Sequence, residues 1–154
     1  MRVAINGFGR IGRSVFRILN NKKNVSVVAI NDIADNDAMA YLLKYDTVMG
    51  PFKDSVSLEG DIMKTSKNQI KMVAERDPSL LPWKEMEVDV VIEATGIFRE
   101  KSQLQQHINA GAKRVILTVP SKDEIDYTLV IGVNDDGLNE DHKIISNASC
   151  TTNC

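Results

Sequence analysis

Two short stretches carry residue types that can do chemistry. The first is Asn6-Gly7-Phe8-Gly9-Arg10-Ile11-Gly12, three glycines in G-x-G-x-x-G spacing. It directly follows the apolar run Val3-Ala4-Ile5 and opens a helical pattern. A second apolar run, Val25 to Ile30, ends at Asn31-Asp32, and Asp32 stands 20 positions after Gly12. Strand, glycine turn, helix, strand and acid in that order fit a dinucleotide site. Gly7 permits the tight turn, Gly9 lets backbone approach a pyrophosphate, and Gly12 lets helix and strand pack closely. The helix N-terminus offers free N–H groups and partial positive charge to phosphates. Arg10 either helps hold phosphate or is simply solvated. Asp32 would accept hydrogen bonds from the adenosine ribose, and its charge would repel a 2′-phosphate, so NAD is expected over NADP. The plainer alternative is a glycine turn with no ligand and a solvated acid.

The second stretch is Ser146-Asn147-Ala148-Ser149-Cys150-Thr151-Thr152-Asn153-Cys154. Asn147 or Ser149 can cap a new helix. Cys150 would then lie in its first turn, where the dipole and free N–H groups favour thiolate. A thiolate attacks carbonyl carbon, and the same N–H groups can stabilise the oxyanion. The alternative is an inert, semi-buried thiol. Cys154 shares a helix face with Cys150. That leaves a two-thiol redox sensor as a further alternative, though a disulfide across one turn is strained. Neither histidine has a signature as the cysteine's base. His107 is expected on the surface of a helix and His142 in a solvated loop. Neither shows ligand spacing with the cysteines, so no metal is expected.

The elements that must position these residues alternate. Buried strands are expected at Val3–Ile5, Val25–Ile30 and Val88–Ile92, with later candidates at 114–119, 127–133 and 143–146. Between them, Ile11, Val15, Ile18 and Leu19 mark one helix face. A second helix covers 37–45, with Met39, Leu42 and Leu43 on one side. A third covers 101–110, with Leu104 and Ile108 inward, Ser102 as cap and Gly111 as stop. The expected fold is α/β: a Rossmann-type, doubly wound, mainly parallel sheet with right-handed crossovers. Residues 47–87 read as a small irregular, partly antiparallel insertion. The loops Ala94-Thr95-Gly96 and Thr118-Val119-Pro120-Ser121 follow strands, at the ends where such sheets bind ligands. Read plainly, they are ordinary turns.

Composition bounds the rest. The chain has 154 residues, 43% apolar and 26% charged, with 19 Lys+Arg against 21 Asp+Glu. That suffices for a core and argues against disorder. Near-neutral charge makes a general nucleic-acid binder or a polybasic membrane-surface binder unexpected. Apolar runs such as Val90-Val91-Ile92 fall far below the ~18 residues of a membrane span. No apolar signal segment is read at the start, and two cysteines make no disulfide framework. The expected setting is cytoplasmic.

In order along the chain stand Asn6–Gly12, Asn31-Asp32, Leu42-Leu-Lys-Tyr-Asp46, Glu75-Arg-Asp-Pro78, Ala94-Thr-Gly-Ile-Phe98 and Ser146–Cys154. Together they resemble the N-terminal half of the phosphorylating glyceraldehyde-3-phosphate dehydrogenases. The Ser-Cys-Thr-Thr-Asn-Cys run is far more specific than the glycine turn. The resemblance implies an NAD-binding Rossmann domain at 1–148 and the start of a catalytic-domain helix at 149–154, with the remainder of that domain beyond this chain. It implies pyrophosphate at Arg10 and Ile11 and ribose at Asp32. Arg76 would meet the adenine end, and Thr95, Gly96 and Thr118 the nicotinamide side. Cys150 would be the nucleophile, with Ser149 and Thr151 beside it on substrate. The implied partners are a sugar-phosphate aldehyde and inorganic phosphate, in a homo-oligomer that is a tetramer in the family. The implied catalytic His, most phosphate-binding residues and the Asn that holds the nicotinamide amide lie beyond residue 154. The chain alone is therefore expected to bind NAD and not to turn over. Met49 and Val119 depart from the family's usual His and Ala. Leu81-Pro-Trp83 and Ile33-Ala-Asp35 also resemble the related erythrose-4-phosphate dehydrogenases. A binding module that pairs with another chain through bared apolar surface is the rival of a different class.

Overall fold

The computed structural model describes residues 1–154. The strands are β1 (Arg2–Asn6), β2 (Ser26–Asn31), β3 (Ser57–Glu59), β4 (Ile62–Lys64), β5 (Gln69–Val73), β6 (Val90–Glu93), β7 (Arg114–Leu117), β8 (Tyr127–Thr128) and β9 (Ile144–Ser146). The helices are α1 (Arg10–Leu19), α2 (Asn36–Lys44), α3 (Lys101–Asn109) and the single turn α4 (Cys150–Asn153). One sheet runs β3-β4-β5-β2-β1-β6-β7-β9-β8. Pairs β2–β5, β1–β2, β1–β6, β6–β7, β7–β9 and β8–β9 are parallel. Only β3–β4 and β4–β5 are antiparallel. The chain builds outward from β1 through β2 and β5, then returns to β1's other side for β6, β7 and β9. The order therefore reverses between β1 and β6, and the crevice for a ligand opens at such a point.

Both faces of the sheet's centre are covered, which is why β1, β2 and β6 are buried almost throughout. Val3 and Ile5 of β1, and Val90 and Ile92 of β6, pack on Phe16 of α1 and Met39 and Leu43 of α2. Their alternates Ala4 and Val91 pack on Leu104 of α3, with Trp83. In β2 the alternation breaks: Val27 and Ile30 share one face while Val28 and Ala29 share the other. The cause is a register shift between Val3 and Ala4 that leaves Val28 unpaired with β1, as in a bulge.

Several expectations change. The inward face of α1 carries Gly12, Phe16 and Arg17, not Ile11 and Ile18, which are exposed. Gly12 must sit against the Gly7 carbonyl, and that contact sets the helix's rotation. Leu42 likewise points outward while Met39 and Leu43 are buried. Ser102 does not cap α3. Gln103 Oε1 accepts from Glu100 N–H at 3.1 Å, and Asp123 Oδ1 accepts from Lys101 N–H at 2.8 Å. The strand expected over 127–133 shrinks to Tyr127–Thr128, because Asn134 Oδ1 takes the Val130 N–H at 2.7 Å and turns the chain. Within 47–87, β-like pieces expected at 56–58 and 70–73 are β3 and β5; β4, not foreseen, pairs antiparallel with both, and β5 also joins the parallel sheet beside β2.

Candidate functional site

At the β1/β6 reversal lies a cleft of about 400 Å³. Its walls come from four chain segments: Asn6, Gly7 and Gly9 after β1; Asn31–Ile33 after β2; Glu75-Arg76 after β5; and Ala94, Thr95, Ile97 and Phe98 after β6. All are at strand carboxyl ends.

The three glycines differ in what they face. At Gly7 φ is +90°, and a Cβ there would meet Thr95 N at 2.7 Å. Only glycine lets the turn pass so close to the β6 loop. At Gly12 a Cβ would stand 2.1 Å from the Gly7 carbonyl oxygen. At Gly9 a Cβ would meet nothing within 4 Å, because that position faces the open cleft. So Gly7 and Gly12 are glycines because of protein packing. Gly9 is bare toward the space a ligand would enter.

Helix α1 begins here without a side-chain cap. The other helices differ. Asp35 accepts from Ala38 N–H at 2.9 Å, Ser149 Oγ accepts from Thr152 N–H at 2.9 Å, and α3 has its Gln103 and Asp123 acceptors. An uncapped first turn leaves donors and a positive dipole end for an anion. Arg10 is exposed on that turn, and Ile11 beside it is exposed too.

Asp32 is half-buried at the end of β2. Its Oδ2 accepts from Phe8 N–H at 2.6 Å and its Oδ1 from Ala34 N–H at 2.9 Å. Each oxygen keeps a second lone pair, so the carboxylate ties down the glycine loop and can still accept from a ligand hydroxyl. Phe8 itself turns inward and stacks edge-on against Phe16, with centroids 5.8 Å apart. It reaches the site only through its backbone. Arg76 is exposed on the cleft wall. Thr95 lines the cleft, and exposed Gly96 follows it. Thr118 is half-buried one strand further along, where its Oγ1 donates to the Glu93 carbonyl at 3.0 Å.

Beneath the cleft is a polar chain that the spacing of motifs did not signal. Asn31 Nδ2 donates to Asn6 Oδ1 at 2.7 Å, and Asn6 Nδ2 donates to Glu93 Oε2 at 2.6 Å. Asn31 Oδ1 also accepts from Glu75 N–H at 2.8 Å, which fixes the β5 loop. His107, expected at the surface, is fully buried and lies 3.0 Å from Glu93 Oε2 through Nε2. Its location on α3 was legible, but its depth was not. The one usable sign was Glu93, an acid directly after the apolar run Val88–Ile92.

Cys150 lies off β9, three strands along the same edge from β1, or roughly 14 Å by strand spacing. It is exposed, at the first position of α4, and no hydrogen bond reaches its Sγ. Ser149 caps that turn, as one of the two expected candidates, and Thr151 Oγ1 lies 3.0 Å from Ser149 Oγ. Ala148, at φ 62°, turns the chain into α4. His142 packs against Tyr127 with ring centroids 4.7 Å apart and has no contact with Cys150. No group of three His, Cys, Asp or Glu could hold a metal ion. No helix is long and apolar enough to cross a membrane.

Comparison with known proteins bears on this geometry. The family described as glyceraldehyde 3-phosphate dehydrogenase, NAD binding domain, matches residues 1–101. The chain is 53% identical over 154 residues to a glyceraldehyde-3-phosphate dehydrogenase of Thermotoga maritima, covering 99% of this chain and 46% of that protein. It is 51% identical over 159 residues to the enzyme of that name from Borreliella burgdorferi, covering 100% and 47%. It is 49% identical over 156 residues to that from Streptomyces coelicolor, covering 100% and 46%. The chain thus spans about half the length of the curated relatives it matches.

Proposed function

From a chain that belongs to the glyceraldehyde-3-phosphate dehydrogenase family, as its NAD-binding domain, we propose that the β1/β6 cleft is the cofactor site of a phosphorylating aldehyde dehydrogenase. The observation that carries this reading is the uncapped α1 N-terminus beside Gly9, whose Cβ position is empty and faces the cleft. These residues fit NAD. The backbone at Gly9, Arg10 and Ile11 would hold the pyrophosphate, and Gly7 and Gly12 let the loop close. Asp32 would take the ribose hydroxyls, and Arg76 would flank the adenine. Thr95, Gly96 and Thr118 would border the nicotinamide. When bound, NAD supplies the hydride acceptor.

On this reading residues 1–148 form the cofactor domain and 149–154 begin the catalytic one. The Cys150 thiolate attacks the aldehyde carbon of a sugar phosphate and forms a C–S bond, with Ser149 and Thr151 beside the substrate. The carbonyl oxygen takes a proton from a general acid as that bond forms; loss of hydride from the carbon, with return of the hydroxyl proton to the same group now acting as base, leaves an acyl thioester on Cys150. Inorganic phosphate then displaces the thiolate and carries the acyl group away. His107 cannot be that base, because it is sealed under the cleft. The substrate we assign is glyceraldehyde 3-phosphate, the aldehyde in the relatives' names. Exposed Tyr41, Leu42, Tyr45, Val48 and Met49 supply apolar surface for a homo-oligomer. Two exposed, unpaired cysteines suit a reducing cytoplasm.

The test is to titrate the purified chain with NAD and then supply glyceraldehyde 3-phosphate and phosphate. We expect saturable binding and no NADH. Absence of binding by the folded chain contradicts the cofactor assignment. NADH formed by the chain alone contradicts the need for a base outside it.

A further inference from the structure

Glu93 is an acid with no accessible surface, and no lysine or arginine pairs with it. Four donors satisfy it instead. Oε2 faces Asn6 Nδ2 at 2.6 Å and His107 Nε2 at 3.0 Å. Oε1 accepts from Thr95 N–H at 2.9 Å and from Thr95 Oγ1 at 2.5 Å. Two donors at each oxygen fill the acceptor positions that burial hides from water. The donor role of His107 follows from its other side. Trp83 Nε1, which can only donate, lies 3.0 Å from His107 Nδ1. Nδ1 must therefore accept, so the ring proton sits on Nε2 and points at Glu93. Trp83 sets the tautomer, and the tautomer completes the carboxylate's shell.

The consequence reaches the cleft, because Asn6, Asn31 and Thr95 all line it. One oxygen of Glu93 holds the β6 loop at Thr95. The other, through Asn6 and Asn31, holds the ends of β1 and β2 and the Glu75 backbone. We infer that Glu93 is a positioning residue for the dinucleotide: through the buried relay Trp83–His107–Glu93 it sets the spacing of the two cleft walls before the ligand enters. Glu93 is the end of the relay that bonds the cleft residues Asn6 and Thr95, and His107 and Trp83 act through it. This rests on the assignment of the cleft to NAD, so its test needs one arm that requires no cofactor.

Three substitutions separate positioning from mere packing. Glu93→Gln keeps the shape and removes one acceptor. His107→Gln places an amide nitrogen near the Nε2 position and keeps a donor to Glu93. His107→Phe fills the space and donates nothing. Folding is checked by circular dichroism and melting for each. Binding of NAD is measured by calorimetry. Thr95 amide exchange is followed without NAD, with Ile144→Val as a control that loosens the core cluster containing Trp83 without removing a relay hydrogen bond. We expect Glu93→Gln and His107→Phe to raise the NAD Kd about tenfold or more and His107→Gln to stay within about threefold of the parent. Thr95 should exchange faster in Glu93→Gln and His107→Phe than in Ile144→Val or His107→Gln at matched stability. Folded Glu93→Gln and His107→Phe that bind NAD as the parent does would overturn the inference. So would Thr95 exchange that tracks only global stability. If the parent itself binds no NAD, the cofactor assignment fails, and the exchange arm still decides whether the relay holds the walls.

Discussion

Two regions of the sheet's carboxyl edge, its centre and its β9 flank, are built differently. At β1 and β6, the strand ends are joined by buried hydrogen bonds through Asn6, Asn31 and Glu93, and the loops above them are held by Asp32 and by close glycine contacts. At β9, Cys150 stands exposed on a one-turn helix whose hydrogen bonds are nearly all to its own neighbours. A shaped cleft exists in the first region. At the second, a thiol is exposed and no hydrogen bond reaches its Sγ. On the proposed reading, the difference teaches that this chain carries its cofactor cleft preformed and presents the proposed reacting thiol separately. Binding and chemistry should therefore respond to different substitutions.

The largest effect should come from Gly12→Ala. Its Cβ would meet a backbone oxygen, which cannot swing aside. Overpacking of this kind costs about 1–3 kcal/mol or more, and moving α1 should also abolish NAD binding. Urea melts and calorimetry on the same sample check both. Gly9→Ala sharpens the contrast: with nothing within 4 Å of its Cβ, it should melt like the parent yet weaken NAD binding. A Gly9→Ala chain that binds normally would move the pyrophosphate away from this turn.

A smaller effect is expected from pH. The Lys113 ammonium, and then the Arg2 backbone N–H, hold the Asp89 carboxyl below its ordinary value of 3.8. A lowered carboxyl stabilises the fold above the unfolded value, and that contribution is lost as pH falls through the folded one. Asp89 is a partly exposed pair far from the cleft, so its share is within the ~1 kcal/mol of such pairs. Asp89→Asn should flatten the acid limb of the stability curve below about pH 4 and leave NAD binding unchanged. The smallest effect belongs to Cys150→Ser. An exposed side chain without partners should alter melting by less than about 0.5 kcal/mol and NAD affinity not measurably. A large loss of NAD binding in Cys150→Ser would erase the distinction between the two regions.

How much of this was legible depended on the kind of interaction. The glycine turn could be read because each glycine answers a local requirement, and the sheet because β-branched runs alternate with helical spacing. The rotation of α1 could not, since it follows from one contact between Gly12 and the Gly7 carbonyl. His107 looked like a surface residue because a polar side chain on a helix usually is one. Its burial depends on Trp83 and Glu93, which stand 24 and 14 residues away. Polar relays assembled from separate strands leave no period or spacing in the sequence. Phe8 shows the reverse: its place in the motif was plain, while its ring belongs to the core.

The central claim is that the cleft at the β1/β6 reversal takes NAD and that Asp32 reads its ribose. Calorimetric titration with NAD, run beside NADP and repeated for Asp32→Ala, tests it most directly. The account predicts saturable NAD binding, weaker NADP binding, and a Kd for NAD raised about tenfold or more in the folded Asp32→Ala chain. A folded parent chain that takes up neither dinucleotide, or binds NADP as tightly as NAD with Asp32 intact, would contradict it.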